Sequence, residues 1–253
     1  MKMVYLVLAL LVLFACYLFT EPYLLKTKRV ELDMKEENLK IVHLTDLHSK
    51  KFGWTERRVL ERLREVDPDY IFVTGDFVDD STYNLEECQQ FWEALVDQHS
   101  GKVYGVLGNH EYRHPKTKEV IGRLKESGIK LLNNESVELN GLILGGVKSP
   151  HLKHDEMNKA LKRDVDILLA HSPEIFRKVK DKKVDLMLSG HTHGGQINIP
   201  ILRGLVLPLR YGKKYREGVF KEQDTYLHVS RGIGTSILPI RFNAPPEISI
   251  IEF

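Results

Sequence analysis

The apolar positions of the chain fall into two regimes. From Met3 to Phe19 every residue is apolar or aromatic, a run of about 17 at the lower edge of what a helix needs to span a bilayer. Beyond Asn38 the apolar residues come in short bursts separated by helical patterns. Leu39 to Leu44 reads as a buried, β-branched strand, followed by a loop and a helix from about Thr55 to Val66 with Thr55 as its N-cap. Asp67-Pro68 stops that helix, Tyr70 to Thr74 repeats the strand pattern, and Gly75 breaks it. A helix over Leu85 to Gln98, a strand over Val103 to Leu107 and a helix over Pro115 to Ser127, with proline in its first turn, continue the alternation. Such alternation predicts an α/β protein with a largely parallel, covered sheet. Asn140-Gly141, between Val137-Glu138-Leu139 and Leu142-Ile143-Leu144, is a hairpin signal that makes part of the sheet antiparallel. Further strands are expected at Asp166 to Ala170 and Val184 to Leu188, with a short helix from Pro173 to Val179 between them, and at Thr225 to Ser230 and Glu247 to Phe253. No repeat or linker divides this body. The expected organisation is a membrane anchor over 1–22, a polar juxtamembrane segment over 23–38 and one domain over 39–253.

The N-terminal run has three readings. An uncleaved anchor leads on span length. A cleaved secretory signal fits Lys2 and the modest run, but no small-x-small site precedes Glu21. Leu13-Phe14-Ala15-Cys16 is similar to the box before a lipidated cysteine, against which count Phe14 and the continuation of the run to Phe19. All three place the protein at or across a membrane. Lys26, Lys28 and Arg29 outnumber Lys2, which leans the body to the cytoplasmic face. Short anchors also export the domains they precede, so the side stays open.

Charge and cysteine content narrow the chemistry. With 37 basic and 35 acidic side chains the net charge is +2, which leaves no nucleic-acid footprint. The two cysteines, Cys16 and Cys88, argue against a disulfide framework and a thiolate zinc site. Any metal must be held by nitrogen and oxygen.

Candidate ligands follow the strands. Asp46 and His48; Gly75, Asp76 and Asp79; Gly108, Asn109, His110 and Glu111; His171; and Gly190, His191 and His193 each come directly after an expected strand, where an α/β sheet presents ligands to a shared crevice. Taken singly, each has a structural explanation: Asp46 and Asp76 as helix caps, Asn109 in a left-handed turn, His171 as a capping or packing residue. Together they point to metal binding. If His191-Thr192-His193 is extended, both imidazoles face the crevice. Glu111 reads as a hydrogen-bonding support rather than a ligand. His43 reads as a core or supporting histidine, while His99, His114, His151, His154 and His228 default to the surface or a loop. Arg113 and the basic stretch Arg210 to Arg216 read as solvated.

The five motifs, in this order, resemble the full motif set of the calcineurin-like metallophosphoesterases, from about Ile41 to the C-terminus. Gly190-His191-Thr192-His193-Gly194-Gly195-Gln196 and the stretch from Ser230 to Ser236 are similar to a bacterial, membrane-associated branch. The resemblance implies a four-layer αββα sandwich of mixed sheets. It implies two divalent metal ions (Mn, Fe or Zn), one held by Asp46, His48, Asp76 and His193, the other by Asp76, Asn109, His171 and His191, and a metal-activated water that hydrolyses a phosphodiester, phosphomonoester or pyrophosphate. It further implies His110 as general acid or charge stabiliser, Asp79 as the residue that orients it, and Arg231 and Arg241 as candidate phosphate clamps. The implied substrates are lipid-linked or nucleotide-containing phosphate esters. Protein Ser/Thr phosphatases carry arginine directly after the last Asp of the second motif, and Asp80 stands there in this chain, which argues against that activity. The competing class is a non-catalytic membrane protein with a structural or sensory metal site. A nuclease is opposed by the near-neutral charge and the anchor. Oligomeric state is left open.

Overall fold

A computed structural model of the chain describes residues 1–34, 39–148, 157–161, 164–179, 182–199 and 214–253. His151, His154 and the first part of the Arg210 to Arg216 stretch lie outside the described residues. The chain opens with α1 (Lys2–Thr20) and a 3-10 turn over Glu21–Tyr23, then β1 (Lys26–Glu31), β2 (Lys40–Leu44), α2 (Trp54–Val66), β3 (Tyr70–Val73), α3 (Leu85–Gln98) and β4 (Val103–Gly105). It continues through α4 (Asn109–Arg113), α5 (Thr117–Glu126), β5 (Lys130–Leu131), β6 (Glu135–Leu139), β7 (Leu142–Val147), α6 (Met157–Ala160), β8 (Val165–Ala170), α7 (Phe176–Val179) and β9 (Val184–Ser189). The last strands are β10 (Gly218–Glu222), β11 (Thr225–Val229) and β12 (Glu247–Glu252).

These strands form two six-stranded mixed sheets, ordered β1-β12-β2-β3-β4-β5 and β10-β11-β9-β8-β7-β6. In the first, β12 runs antiparallel to β2, while β2 through β5 are parallel. In the second, β7, β8, β9 and β11 are parallel and the flanking β6 and β10 are antiparallel.

Side-chain alternation along the strands builds the layers. Ile41, Phe72, Tyr104 and Ile251 of the first sheet meet Leu144, Ile167, Leu169, Leu186 and Leu188 of the second in one core. The intervening residues Val42, Leu44, Ile71 and Val73 face outward onto Val59 and Leu63 of α2, Phe91 and Trp92 of α3, and Val120 and Leu124 of α5. On the other side Leu168, Ala170, Met187 and Leu227 pack on Ile175, Phe176 and Val179. The result is the four-layer αββα sandwich that the resemblance implied. Each fully buried Leu, Ile or Phe contributes about 1.5–3 kcal/mol of burial free energy, and three such clusters hold the layers together. Outside the sandwich, α1 is long and apolar enough to cross a membrane.

Several local expectations change. The segment 23–38 supplies β1, which pairs in parallel with β12. It reads as polar because β1 is an edge strand whose only buried residue is Val30. Helix α2 starts one residue early, with Gly53 at the N-cap and the Glu56 carboxylate accepting from Gly53 N at 3.0 Å, so Thr55 is not the cap. The Asn140-Gly141 turn has positive φ at both residues, 52° and 95°, as the hairpin requires.

His99 and His114 lie in connecting turns, as expected, but are buried there, and His228 is buried within β11 rather than at the surface. His228, on the inner face of β11, meets His43 of β2 across the sheet interface, Nδ1 to Nδ1 at 3.0 Å, and His43 Nε2 lies 2.8 Å from Thr74 Oγ1. Burial drives both rings down, His43 to about 3. The folded state therefore excludes their protons, while the unfolded chain takes them up near pH 6.5. Stability from the pair is fully present only well above pH 6.5 and falls as pH drops through that value, for His43 by about 2 kcal/mol at pH 5. We expect the Tm difference between pH 7 and pH 5 to shrink in a His43→Leu/His228→Leu double variant, as read by calorimetry. An unchanged difference would place the acid-sensitive groups elsewhere.

Candidate metal centre and catalytic cleft

Backbone strain marks the strand exits. Asp46, His48, Asp76, His191 and His193 all have positive φ, from 44° at His48 to 70° at His191, a region that residues bearing a Cβ avoid. Such conformations persist where the surroundings fix them, and they gather at functional sites. Here the fixing groups are carboxylates and close backbone approach. Asp46 Oδ2 accepts from His191 N and from Thr45 Oγ1, both at 2.9 Å, and Asp76 Oδ1 accepts from His110 N at 2.9 Å. The buried Glu111 carboxylate accepts from Gly108 N at 2.8 Å, Asp76 N at 3.0 Å and Val78 N at 3.1 Å. A Cβ at Gly108 would stand 2.1 Å from Asp76 Oδ1, and one at Gly190 would stand 2.2 Å from Asp46 Oδ2. Glycine is thus the residue that lets one loop's backbone meet the next loop's carboxylate.

These ties bring together the side chains that the sequence singled out, in two groups. In the first, His48 Nε2 lies 3.1 Å from His193 Nε2, which lies 3.5 Å from Asp46 Oδ1. In the second, His171 Nε2 lies 3.1 Å from both Asn109 Oδ1 and His191 Nδ1, and 3.2 Å from Asp76 Oδ2. Asp76 Oδ2 is also 3.6 Å from His48 Nε2, so this carboxylate stands between the groups. Within Asp46-His48-His193, and within Asp76-His171-His191, the ligand atoms all lie within 4.8 Å of one another.

Their proton inventory fits a cation. His171 Nδ1 must donate to the Thr74 carbonyl, 2.7 Å away, which leaves a lone pair on Nε2 of the neutral ring. That lone pair faces the oxygens of Asp76 and Asn109 and the Nδ1 of His191. Acceptors so converged repel unless a cation or an added proton sits among them. With protein groups alone, burial lowers the His171 ring, but Asp76 and Asp46 outweigh it and raise it to about 9. Burial likewise opposes ionisation of Asp76, yet His171 and His48 hold its carboxyl well below the usual range. Oxygen and imidazole donors without thiolate suit Mn, Fe or Zn.

His110 sits beside this cluster, Nε2 4.0 Å from Asp76 Oδ2. Its Nδ1 accepts from Asp80 N at 3.3 Å, and Asp80 Oδ1 is 3.7 Å away. In the neutral ring the proton therefore resides on Nε2. Burial favours that neutral form by lowering the ring's affinity for a second proton. The hydrogen bond to this ring comes from the Asp80 backbone, whereas the orienting role was expected of Asp79. Asp79 Oδ1 accepts from Ser81 N at 3.0 Å within its own turn, and that turn leaves Oδ2 3.6 Å from His48 Nδ1. Sequence reasoning treated Asp80 only as the residue standing where protein phosphatases have arginine.

Two further expectations are corrected. Arg241 is fully buried and donates to the carbonyls of Ala244 at 2.7 Å, Arg231 at 3.1 Å and Gly232 at 3.3 Å, and also to Gly234 O, with Nη2 3.5 Å from His193 Nδ1. Arg231 is paired with Glu217 and, at 3.6 Å, with Glu247. Arg241 commits its two Nη groups to loop carbonyls and leaves Nε without a partner, Arg231 Nε is held by carboxylates, and neither arginine lines the cleft over the cluster, which fits support of the loop better than a phosphate clamp. Nor is His191-Thr192-His193 extended. Thr192 is helical, with φ −85° and ψ −20°, between two left-handed histidines, and that twist sends the two rings to different groups.

An open cleft of ≈ 840 Å³ lies over the cluster, lined by Asp76, Asn109, His110, His191 and His193. Lys50 and Arg113 contribute cations to its lining and Ile197, Ile237 and Leu238 an apolar wall. Lys50 was missed in the sequence, although it follows His48 by two residues, and Arg113 was read as solvated.

Fold and donor set define an α/β protein with a candidate metal centre at its strand exits. Residues 39–195 match the family model described as calcineurin-like phosphoesterase. The chain is 31% identical to the uncharacterized metallophosphoesterase YkuE of Bacillus subtilis (strain 168), over 92% of this chain and 86% of that one. It is 28% identical to the phosphodiesterase YaeI of Escherichia coli (strain K12), over 92% and 90%. The crystal structure of TT1561 of Thermus thermophilus shares the fold, with a TM-score of 0.53 and 14% identity over 78% of this chain and 90% of that one. The chain belongs to the calcineurin-like phosphoesterase family and is a metal-dependent phosphoesterase.

Gly190→Ala tests how tightly the exits are fitted. The added Cβ would stand 2.0 Å from Thr45 Oγ1, so the Asp46 loop must shift, at a cost of about 1–3 kcal/mol for overpacking. We expect a lower Tm together with weaker metal retention in equilibrium dialysis. A variant that keeps full metal affinity would show that the fit is looser than the geometry indicates.

Proposed function

We propose that the chain is a membrane-anchored, dinuclear phosphoesterase that hydrolyses phosphodiester or pyrophosphate bonds. The observation that carries this reading is the division of the buried donors into two groups about Asp76, with the Nε2 of His110 next to the shared carboxylate. Asp46, His48, Asp76 and His193 would hold one ion, and Asp76, Asn109, His171 and His191 the other, with manganese, iron or zinc as the candidates. Such a pair of cations, when bound, acidifies water and neutralises charge on phosphoryl oxygens. His110, neutral and protonated on Nε2, would give that proton to the leaving oxygen or hydrogen-bond a phosphoryl oxygen. Asp80 fixes its tautomer through Nδ1. Lys50 and Arg113 add positive charge at the cleft, which favours an anionic ester.

The diester preference is supported by likeness to the relative named a phosphodiesterase. Residues 1–22 would anchor the domain of 39–253 to the membrane, with 23–38 joining them and contributing β1. The charge of Lys26, Lys28 and Arg29 favours a cytoplasmic body. An anchored active site suits lipid-linked or nucleotide-containing substrates.

With purified full-length protein and added Mn, we expect metal-dependent hydrolysis of bis(p-nitrophenyl) phosphate. Asp76→Asn should abolish it, and His110→Ala should lower kcat by about 10²–10⁴-fold while leaving metal content intact. Full turnover in either variant, or none in the wild type, would overturn the catalytic reading. A site that only stabilises the fold would raise Tm with metal and hydrolyse nothing. Elemental analysis of His191→Ala and His193→Ala should find one ion lost in each, from different groups. Loss of both ions together in both variants would contradict the two-site division.

A further inference from the structure

Helix α1 is joined to the wall of the cleft. Leu18 O accepts from Arg241 N at 3.1 Å, and the Glu21 carboxylate, itself buried, accepts from Ala244 N at 3.1 Å. The Phe242 ring packs edge-on against Phe14 at 5.5 Å and Tyr17 at 5.9 Å. Phe14 lies five residues inside the end of the apolar run at Phe19, which is about 7–8 Å along a helix axis. A segment that touches α1 there cannot stand clear of a membrane that α1 enters.

The residues just before this contact carry no charge. Ile237 is 98% exposed and Leu238 49% exposed, and Pro239 and Ile240 lead from them to Arg241. Ile237 also holds φ at 63°, a conformation that a β-branched side chain adopts only at a cost. A strained, fully exposed isoleucine gains nothing from packing within the chain. Gln196 fixes the tip to the metal-site loop, donating to Leu238 O at 2.8 Å and accepting from Ser236 N at 2.9 Å. Across the base of α1 stands an exposed aromatic pair, Tyr23 and Trp54, with ring centroids 5.7 Å apart and Arg58 over the Trp54 ring at 5.6 Å. Aromatic rings with basic neighbours are the composition of a membrane interface.

We propose that Ile237 to Ile240 is a second membrane-seated element, which inserts into the leaflet beside α1 and holds the mouth of the cleft at headgroup depth. The occupant of this apolar tip is the lipid bilayer itself. The inference rests on the anchor reading of α1, and one labelling experiment separates the two. Cys16 on α1 is exposed, whereas Cys88 is buried and its thiol pushed up to about 12, so a thiol-reactive fluorophore marks Cys16 in the full-length wild type. The same fluorophore is placed at Ile237→Cys, and at Lys183→Cys on the far end of the sandwich, each in a Cys16→Ala background. The proteins are reconstituted in phosphatidylcholine–phosphatidylglycerol vesicles carrying either a nitroxide high on the acyl chain or iodide in the buffer.

We expect the labels at 16 and 237 to be quenched by the lipid nitroxide and shielded from iodide by about threefold or more relative to 183. A label at 237 that iodide quenches as freely as 183, while 16 is lipid-quenched, overturns the proposal and leaves the anchor standing. It would also mean that the tip meets water or a soluble partner. A label at 16 that escapes the nitroxide overturns both readings.

Discussion

Two buried carboxylates, Asp46 and Asp76, set the geometry on which the rest of the site depends. Each accepts a backbone N–H from a neighbouring loop, His191 N for Asp46 and His110 N for Asp76. Both thus serve as structural ties as well as negative charge. Burying them is costly unless positive charge is near. Asp46 itself is raised by burial, so the protein frame alone does not stabilise its anion. The chemistry of the site follows: imidazoles and an amide oxygen converge on the carboxylates, and with protein groups alone an added proton on His171 fills the place that a cation would take. The left-handed backbone at five of these positions is the strain cost of that convergence.

Behind the site, polar support is distributed unevenly. On one side Glu111 takes three backbone N–H groups and locks the exits of β3 and β4 together. Burial raises its carboxyl to about 7, and the negative Asp76 adds to the rise, so its grip on the loops is sensitive to the charge it faces. On the other side Arg241 gathers the carbonyls of Arg231, Gly232 and Gly234 and reaches His193 Nδ1. Its backbone N–H meanwhile binds the end of α1. One buried residue therefore touches the apolar helix through its backbone and a proposed metal ligand through its guanidinium.

How much of this was legible in the sequence depends on whether the signal was local. The α/β alternation, the 85–98 helix and the hairpin at Asn140-Gly141 followed from periodicity and turn chemistry, which are local. The donors at the strand exits were legible for the same reason: each sits one to five residues after an apolar run. What escaped reading was set by distant partners. β1 looks like a polar linker because its pairing with β12 joins residues more than two hundred positions apart. His228 looks like a surface residue until β11 is laid over β2. Arg241 resembles a phosphate clamp in sequence, and only its burial among carbonyls shows what its donors are used for.

The roles of Asp79 and Asp80 turn on a different kind of information. Neighbouring carboxylates of equal charge cannot be told apart by composition, and the second of them looked only like a repulsive substitution. The turn over Asp79 to Thr82 decides between them, because Ser81 N and Thr82 N both close back onto Asp79. Asp80 is then the residue whose N–H reaches His110 Nδ1. A backbone N–H can only donate, so this contact selects the tautomer that keeps the proton on Nε2, the atom nearer Asp76. The carboxylate 3.7 Å from Nδ1 would instead favour a second proton on the ring, and burial opposes that charge. His110 is in this way biased to present one proton towards the shared carboxylate, and the backbone contact from Asp80 sets which atom carries it.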